Sequence, residues 1–197
     1  MPPPDVLPAT STDPSPRTLV VVAHPDPASS RVTARLAEAV RDLAHVTVHE
    51  LHPAHRDGRF DVAHEQRLLR EHDRIVLQFP WYWYSVPAVL KAWIDQVLTH
   101  GFAYGGTGTG TALRGKTLQL VTSTGGPKES YADPAPTSRY TMAQFLAPLD
   151  ATARLLGMRL AEPLVLHGTR TVSEEALTAH AERYRALLDS HASRARQ

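Results

Sequence analysis

Short apolar runs rich in β-branched residues alternate along the chain with longer segments in which apolar positions recur every three or four residues. The short runs are typical of strands buried in a parallel sheet, and the longer pattern is typical of helices with one apolar face. Strands are predicted at 18–23, 46–51, 74–79, 116–121 and 160–166. Helices are predicted at 31–43, 62–72, 86–98, 141–156 and 173–190. This alternation predicts βαβ units with right-handed crossovers.

Five strands and five helices fit an α/β fold of the flavodoxin-like three-layer type, whose five-stranded parallel sheet has the order 2-1-3-4-5. In that order strands 1, 3 and 4 lie side by side. Ligands bind beyond the carboxyl ends of such strands, where the strand order reverses. We therefore expect the loops after these three strands to form the functional site.

The two ends of the chain differ in composition from the rest. The first sixteen residues are rich in Pro, Ser and Thr, and they have neither the basic start nor the apolar core of a secretory signal. We predict a disordered tail at 1–16, one flavodoxin-like α/β domain at 17–192, and a short C-terminal tail at 193–197.

Composition excludes several classes of function. Acidic and basic residues nearly cancel, giving a formal charge of +1, so the basic footprint of a nucleic-acid-binding protein is missing. The chain has no cysteine, which excludes disulfides, thiolate nucleophiles and zinc sites built on sulfur. No apolar run is long enough for a membrane span. A cytoplasmic enzyme without membrane insertion is the expectation.

Eleven histidines raise the question of a metal site. Four of them, His45, His49, His52 and His55, lie close together in the sequence. No carboxylate is spaced to complete a site with them, so these histidines are interpreted as surface residues and no metal is predicted.

The loop after strand 1 is rich in hydroxyl groups at the start of a helix. It has neither a GK[ST] nor a GxGxxG motif, which disfavours ATP and classical dinucleotide binding. Ser29, Ser30 and Thr33, with His24 at the strand end, suit a phosphate at a helix N-terminus. The alternative is that Ser30 only caps the helix.

The loops after strands 3 and 4 carry the other unusual features. Four consecutive aromatic residues, Trp81 to Tyr84, follow Pro80 and cannot all be buried on one face. They suit a flat wall for a flavin ring, although core packing or an oligomer interface remains the alternative. The paired glycines Gly125 and Gly126 allow close approach of a ligand, or form a plain turn.

Three motifs in this order and spacing carry a resemblance. The segments AHPDPASS, FPWYWYSVPAVLKAWIDQVLTHGFAYG and TSTGGPKESY resemble the NAD(P)H:quinone oxidoreductase family with the flavodoxin-2 fold, over about 18–188. Within that family the chain is similar to bacterial FMN-dependent NAD(P)H oxidoreductases, including ancillary proteins of glutathione-gated potassium-efflux systems.

The resemblance implies a set of site residues. The cofactor-binding residues it implies are His24, Ser30, Arg31, Val32, Thr33, Pro80, Trp81, Tyr82, Trp83, Tyr84, Ser123, Thr124, Gly125 and Gly126. The implied catalytic residue is Tyr131, which would hydrogen-bond the flavin near its N1/O2 edge. The implied substrate pocket consists of Tyr104, Trp83, Tyr84 and Tyr131. Several family members have a histidine six residues after the tyrosine, where this chain has Thr137.

The resemblance also implies a reaction. NAD(P)H would give hydride to flavin N5, and a quinone or similar small electrophile would receive it in a second, ping-pong half-reaction. FMN is favoured because the chain is short, and FAD stays possible. The alternatives are a regulatory subunit that docks on a potassium-efflux transporter and a flavodoxin-type electron carrier, which the near-neutral charge disfavours.

A homodimer is expected from the same resemblance. We interpret Trp83, Trp93, Phe102 and Tyr104 as exposed aromatic residues that build the site across a two-fold interface.

Overall fold

A parallel sheet forms the centre of the computed structural model, which describes residues 16–26, 29–106, 108–132 and 139–194. Its strands are β1 (Thr18–Val22), β2 (Val46–Glu50), β3 (Arg74–Pro80), β4 (Thr117–Ser123), β5 (Arg159–Leu160) and β6 (Leu164–Leu166). The order is β2-β1-β3-β4-β5, with β6 also paired to β4, and every pairing is parallel. The predicted fold class and strand order are confirmed.

The helices connect successive strands as predicted, with some changes in length. They are α1 (Val32–Glu38), α2 (Leu51–Ala54), α3 (Val62–Glu71), α4 (Ala88–Val97), α5 (Met142–Leu155) and α6 (Glu174–Arg194). The first helix is shorter than predicted because turns follow Glu38, and the short α2 was not predicted. The predicted N-terminal tail falls almost entirely outside the described residues. None of the helices in the described ranges is long and apolar enough to span a membrane.

The fifth strand position is split, although one strand was predicted over 160–166. Pro163 lies between β5 and β6 and has no N–H to donate to β4. The carbonyl of Glu162 instead accepts a hydrogen bond of 2.7 Å from Gln119 Nε2. The chain therefore leaves the sheet for a few residues and pairs with β4 again at Leu164.

The two faces of the sheet bury separate apolar clusters. Leu19 and Val21 of β1 pack with Leu69, Trp93 and Leu149 of α3, α4 and α5. On the other face, side chains of β1 and β3 pack against α1 and α6. The main residues there are Val20, Val22, Val76, Leu36, Leu177 and Tyr184. Both faces are covered, which explains the unbroken apolar runs of the central strands.

Main-chain hydrogen bonds close the amino-terminal end of the sheet. The N–H of Arg17 donates to Asp73 Oδ2 at 2.9 Å, and the Asp73 N–H donates to the Arg17 carbonyl at 2.8 Å. The Thr117 N–H donates to the Asp73 carbonyl at 3.0 Å. Asp73 thus joins the residues that begin β1, β3 and β4.

Two buried or half-buried basic side chains, Lys116 and His72, complete this end. Lys116 Nζ donates to the main-chain carbonyls of Arg70 and His72. The ring of His72 is 1% exposed, and its Nδ1 lies 2.7 Å from the Leu68 carbonyl while Nε2 lies 2.9 Å from Thr47 Oγ1. Burial lowers the pKa of both Lys116 and His72.

Candidate functional site

A cleft of about 820 Å³ opens at the carboxyl ends of β1, β3 and β4, where the strand order reverses. The loops after these three strands line it, together with the loop after β6. The lining residues are His24, Ser29, Ser30, Arg31, Val32, Thr33, Pro80, Trp81, Tyr82, Trp83, Tyr84, Ser123, Gly125, Gly126, Pro127, Ser130, Tyr131, Thr169 and Arg170. The structure thus brings together nearly all of the residues predicted for the cofactor and for catalysis.

Two residues predicted for the site, Thr124 and Tyr104, do not line this cleft. Thr124 is buried beneath the glycine loop, where its hydroxyl donates to the Gly126 carbonyl at 2.9 Å. Tyr104 is partly exposed in a separate loop and its ring contacts His100 edge-on. Thr137 lies outside the described residues.

The ring of His24 joins the first loop to the aromatic loop. Its Nδ1 accepts a hydrogen bond from the Asp26 N–H at 3.1 Å, so the neutral ring carries its proton on Nε2. That Nε2 lies 3.4 Å from the Tyr82 hydroxyl. Burial lowers the pKa of His24, which favours the neutral ring in the free protein.

The start of α1 offers both a cap and free donors. Ser30 Oγ accepts a hydrogen bond from the Ala34 N–H at 3.1 Å, so the predicted capping alternative is present. The Ser30 hydroxyl still lines the cleft, and its hydrogen remains able to donate. The first N–H groups of a helix have no acceptor within the helix, so those of Val32 and Thr33 suit an anionic ligand.

Arg31 also lines the cleft, but its guanidinium is engaged elsewhere. Nε donates to Glu174 Oε1 at 2.9 Å, and Nη2 donates to the Val172 carbonyl at 3.0 Å. These bonds fasten the start of α6 to the start of α1. We therefore expect Arg31 to meet a ligand through its main chain.

The aromatic loop is a tight, strained turn. The N–H and carbonyl of Tyr82 pair with the carbonyl and N–H of Ser85. Trp83 and Tyr84 between them have φ angles of 48° and 60°, which bulky residues rarely adopt. Trp81 is buried at 8% exposure, whereas Trp83 is 94% exposed. Such strain persists where a functional site requires the geometry.

Phe145 of α5 holds the aromatic side chains of the cleft together. Tyr84 stacks on it at 4.9 Å between ring centroids, and Tyr131 and Trp81 meet it edge-on at 6.1 Å and 6.4 Å. Phe145 was not predicted as a site residue because it lies on a helix far along the chain from these loops. The result is an apolar aromatic wall, in which Tyr84 lies parallel to Phe145, with hydroxyl groups at its edge.

The paired glycines lie beneath two side chains of the cleft. A Cβ at Gly126 would come within 3.3 Å of the Tyr131 hydroxyl, and one at Gly125 would lie 3.5 Å from Arg170 Nε. Close approach therefore accounts for the small residue at Gly126, whereas the spacing at Gly125 is an ordinary van der Waals distance. Within the described part of the chain, the exposed guanidinium of Arg170 has no hydrogen-bond or ion-pair partner.

Arg170 and His167 were not predicted from the sequence. Both lie in the loop after β6, which carries no recognisable motif, and only its position beside the β4 loop could have pointed to it. The His167 ring lies 5.3 Å from that of Tyr131, and its Nδ1 lies 3.0 Å from Thr124 Oγ1. Burial, followed by the nearby Lys128, lowers the pKa of His167.

Two aromatic residues predicted to be exposed are buried. Trp93 is 2% exposed and Phe102 is 5% exposed, so their proposed place on a dimer surface is wrong. Trp93 lies on the apolar stripe of α4 with Leu90 and Val97. Phe102 joins the same core and is covered by Arg70, whose guanidinium carbon lies 4.7 Å from the ring centroid.

The fold brings a carboxylate to one of the clustered histidines, although none is spaced along the sequence to complete a site with them. Glu65 of α3 lies beside His49 of β2, with Oε2 at 2.9 Å from Nε2. Packing of α3 against the edge strand brings these residues together across 16 positions of sequence. Spacing along the chain could not reveal that contact.

Comparison with known proteins identifies similar chains. A profile of the Flavodoxin_2 family, described as a flavodoxin-like fold, matches residues 16–188. The glutathione-regulated potassium-efflux system ancillary protein KefG of Pectobacterium carotovorum subsp. carotovorum is 41% identical over 169 residues, which cover 86% of this chain and 91% of KefG.

Two solved structures are similar as well. General stress protein 14 from Treponema denticola, in complex with FMN, has 37% identity and a TM-score of 0.81, covering 89% of this chain and 99% of that one. An NADPH-quinone reductase from P. pentosaceus has 34% identity and a TM-score of 0.78, covering 87% of this chain and 97% of that one.

Proposed function

The chain belongs to the Flavodoxin_2 family, and from that premise we propose that it is an FMN-dependent NAD(P)H oxidoreductase. Its acceptor is a quinone or a similar small electrophile. The observation that carries the proposal is the cleft at the switch point of the sheet, where an aromatic wall, a hydroxyl-lined helix start and a glycine loop meet. Similarity to an FMN complex and to an NADPH-quinone reductase supports it.

The residues of the cleft fit FMN in size and chemistry. Ser30, Thr33 and the free N–H groups at the start of α1 suit its phosphate. The wall formed by Trp81, Tyr84 and their neighbours suits the flat ring. Gly125 and Gly126 add no side chain at the edge of that ring, and a Cβ at Gly126 would come within 3.3 Å of the Tyr131 hydroxyl.

Bound FMN would supply the chemistry of accepting hydride from the nicotinamide and passing it to the acceptor. The chain's own residues orient the two substrates and balance charge. The Tyr131 hydroxyl, at the Gly126 edge, donates a hydrogen bond where negative charge develops. The exposed guanidinium of Arg170 adds positive charge to the same side of the cleft.

Both substrates use the same open face in turn, which gives the ping-pong order. Trp83, Tyr84 and Tyr131 border that face. In a homodimer, Tyr104 of one copy reaches the pocket of the other. The exposure of Trp83 (94%) and Tyr104 (39%) in a single chain supports this part of the proposal.

The visible spectrum of the purified protein tests the cofactor and the reaction together. We expect a yellow protein that bleaches on anaerobic addition of NADPH or NADH and recovers its colour with a simple quinone. A protein that stays colourless after incubation with FMN and with FAD would contradict the proposal.

Replacing Tyr131 by Phe tests the proposed catalytic residue. We expect FMN to remain bound and turnover to fall about tenfold, the value of one hydrogen bond to developing charge. Stopped-flow measurement of each half-reaction would locate the loss. Unchanged rates in both would remove Tyr131 from the mechanism.

A regulatory role on a potassium-efflux transporter is the second candidate, supported by the 41% identity to KefG. The two roles are compatible, since a docking surface need not involve the cleft. Co-purification with a transporter from the native membrane would support the regulatory role. A protein that does not associate with any transporter there would contradict this role and leave the oxidoreductase activity as the only proposed function.

A further inference from the structure

A buried carboxylate lies away from the cleft, between the edge strand and α3. The side chain of Glu65 is 2% exposed. His49 Nε2 lies 3.0 Å and 2.9 Å from its two oxygens, and Trp93 Nε1 donates to Oε2 at 2.8 Å. An ionised carboxylate in such a place requires a positive partner.

A second imidazole completes the cluster. His64 precedes Glu65 in the first turn of α3 and is exposed to solvent. Its ring centroid lies 6.0 Å from that of His49, with the planes at 63°. One ligand atom from each of the three residues lies within 4.8 Å of the others.

We propose that His49, His64 and Glu65 bind one divalent transition-metal ion, with Zn²⁺ as the preferred ion and water in the fourth position. Two imidazole nitrogens and one carboxylate oxygen are a common donor set for Zn²⁺. Bonds of about 2.0–2.2 Å in a tetrahedron place ligand atoms roughly 3.4 Å apart. The pair formed by His49 and Glu65 is already close to that spacing, and the ligand atom of His64 lies within 4.8 Å of both.

The surroundings favour a metal over a plain ion pair. Trp93 Nε1–H donates a hydrogen bond to the Glu65 carboxylate, and hydrogen bonds of this kind orient carboxylates that ligate metal ions. Arg67 Nη2 lies 3.5 Å from His64 Nδ1, which leaves Nε2 of that ring for the ion. The ion would fasten β2, the edge strand, to α3, and none of its three ligands lines the cleft.

The test uses the full chain, free of any histidine tag and stripped of metal. Isothermal titration with Zn²⁺ should give one ion per chain. Co²⁺ in its place should give the strong visible absorption of tetrahedral coordination. At a hundredfold excess over Kd, Zn²⁺ should raise Tm by about 5–10 °C.

Variants separate this site from other histidines. His64→Ala should weaken Zn²⁺ binding about a hundredfold or more and abolish the rise in Tm, while its metal-free Tm stays near wild type. Glu65→Gln, which keeps an acceptor for Trp93, should weaken binding as well. His52→Ala removes a nearby exposed histidine outside the cluster and should change neither value. Equal Zn²⁺ affinity in wild type and His64→Ala, no binding by wild type, or a weak octahedral Co²⁺ spectrum would each overturn the proposal.

Discussion

At the amino-terminal end of the sheet, Lys116 donates hydrogen bonds to two main-chain carbonyls, whereas at the carboxyl-terminal end Arg170 has no such partner among the described residues. The same contrast holds for the backbone. Asp73 ties three strands together at one end. Trp83 and Tyr84 hold strained, positive φ angles at the other.

This difference indicates that the two ends of the sheet have different roles, the amino-terminal end in stability and the carboxyl-terminal end in ligand binding. The polar groups of Asp73, Lys116 and His72 at the amino-terminal end are hydrogen-bonded within the protein, so these bonds stabilise the folded state, although the neighbouring buried Arg74 Nη2 has no partner in the described chain. Groups at the carboxyl-terminal end keep hydrogen-bonding capacity and charge for a ligand. Changes at the first end should therefore alter unfolding, and changes at the second should alter binding.

The largest effect should come from Lys116→Met. The variant loses two charge-assisted hydrogen bonds and leaves the partly buried His72 carbonyl without its donor, so unfolding should become easier by about 2–4 kcal/mol. FMN affinity should stay within about twofold, because Lys116 is absent from the cleft. Urea denaturation measures the first quantity and FMN titration the second.

Lys91→Met is the matched control. Its ammonium pairs with Asp95 in an exposed i,i+4 bridge, so the loss should be under about 0.5 kcal/mol. If the Lys116 variant were as stable as the Lys91 variant, the hydrogen bonds of Lys116 at the amino-terminal end of the sheet would not contribute to stability as proposed.

The next effect belongs to Arg170→Ala at the carboxyl-terminal end. One charge-assisted contact is worth about 1.4 kcal/mol, so the Kd for FMN should rise about tenfold. Stability without FMN should change by less than about 0.5 kcal/mol, because Arg170 has no partner in the described chain. Arg154→Ala, which removes an exposed arginine of α5 and its i,i+4 pair with Asp150, should leave the Kd unchanged and lower stability by less than about 0.5 kcal/mol. An unaltered Kd for FMN in Arg170→Ala would show that this guanidinium does not contribute to ligand binding at the carboxyl-terminal end of the sheet.

Ser30→Ala tests a residue that contributes both to stability and to ligand binding. Its Oγ accepts a hydrogen bond from an N–H in the first turn of α1, and its side chain lines the cleft. We expect a loss of about 1 kcal/mol in stability and a severalfold weaker affinity for FMN. Ser173 Oγ caps α6 in the same way, accepting from the Ala176 N–H at 3.2 Å, but it does not line the cleft. Ser173→Ala should therefore reproduce the first loss without the second; if both serine variants weaken FMN binding equally, the second effect is indirect.

The smallest effect concerns pH and His72. Burial holds its folded pKa below the usual 6.5, so the unfolded chain takes up a proton first as pH falls. The stability associated with neutral His72 is complete above 6.5 and is lost as pH falls through the folded pKa. The free energy of unfolding should thus fall less steeply between pH 7 and 5 in His72→Gln than in wild type. Parallel curves would mean that His72 titrates alike in both states.

The sequence predicted the sheet because its determinants are local. Apolar runs such as Thr18 to Ala23 are long enough to indicate strands buried on both faces, and the loops after strands 1, 3 and 4 converge by topology alone. The break at Pro163 was visible in the sequence, but the apolar residues on both sides outweighed it.

Contacts between distant elements were beyond the sequence. Phe145, Arg170 and Glu65 owe their places to packing of helices and to the loop after β6, none of which has a motif. Trp93 and Phe102 were assigned to the surface because aromatic enrichment near a motif does not reveal which side of a helix faces the core. Burial is a property of the tertiary structure, so only the fold could decide it.

The three tryptophans occupy three environments, which makes the unmodified chain its own optical reporter. The indole of Trp83 is almost wholly in water, Trp81 is buried beside the cleft, and Trp93 is buried against Glu65. A collisional quencher such as acrylamide should reach Trp83 first and remove the red edge of the emission. What remains comes from two shielded indoles, one beside the cleft and one at the histidine cluster. Intrinsic fluorescence can therefore distinguish an event at the mouth of the cleft from one at the edge of the sheet.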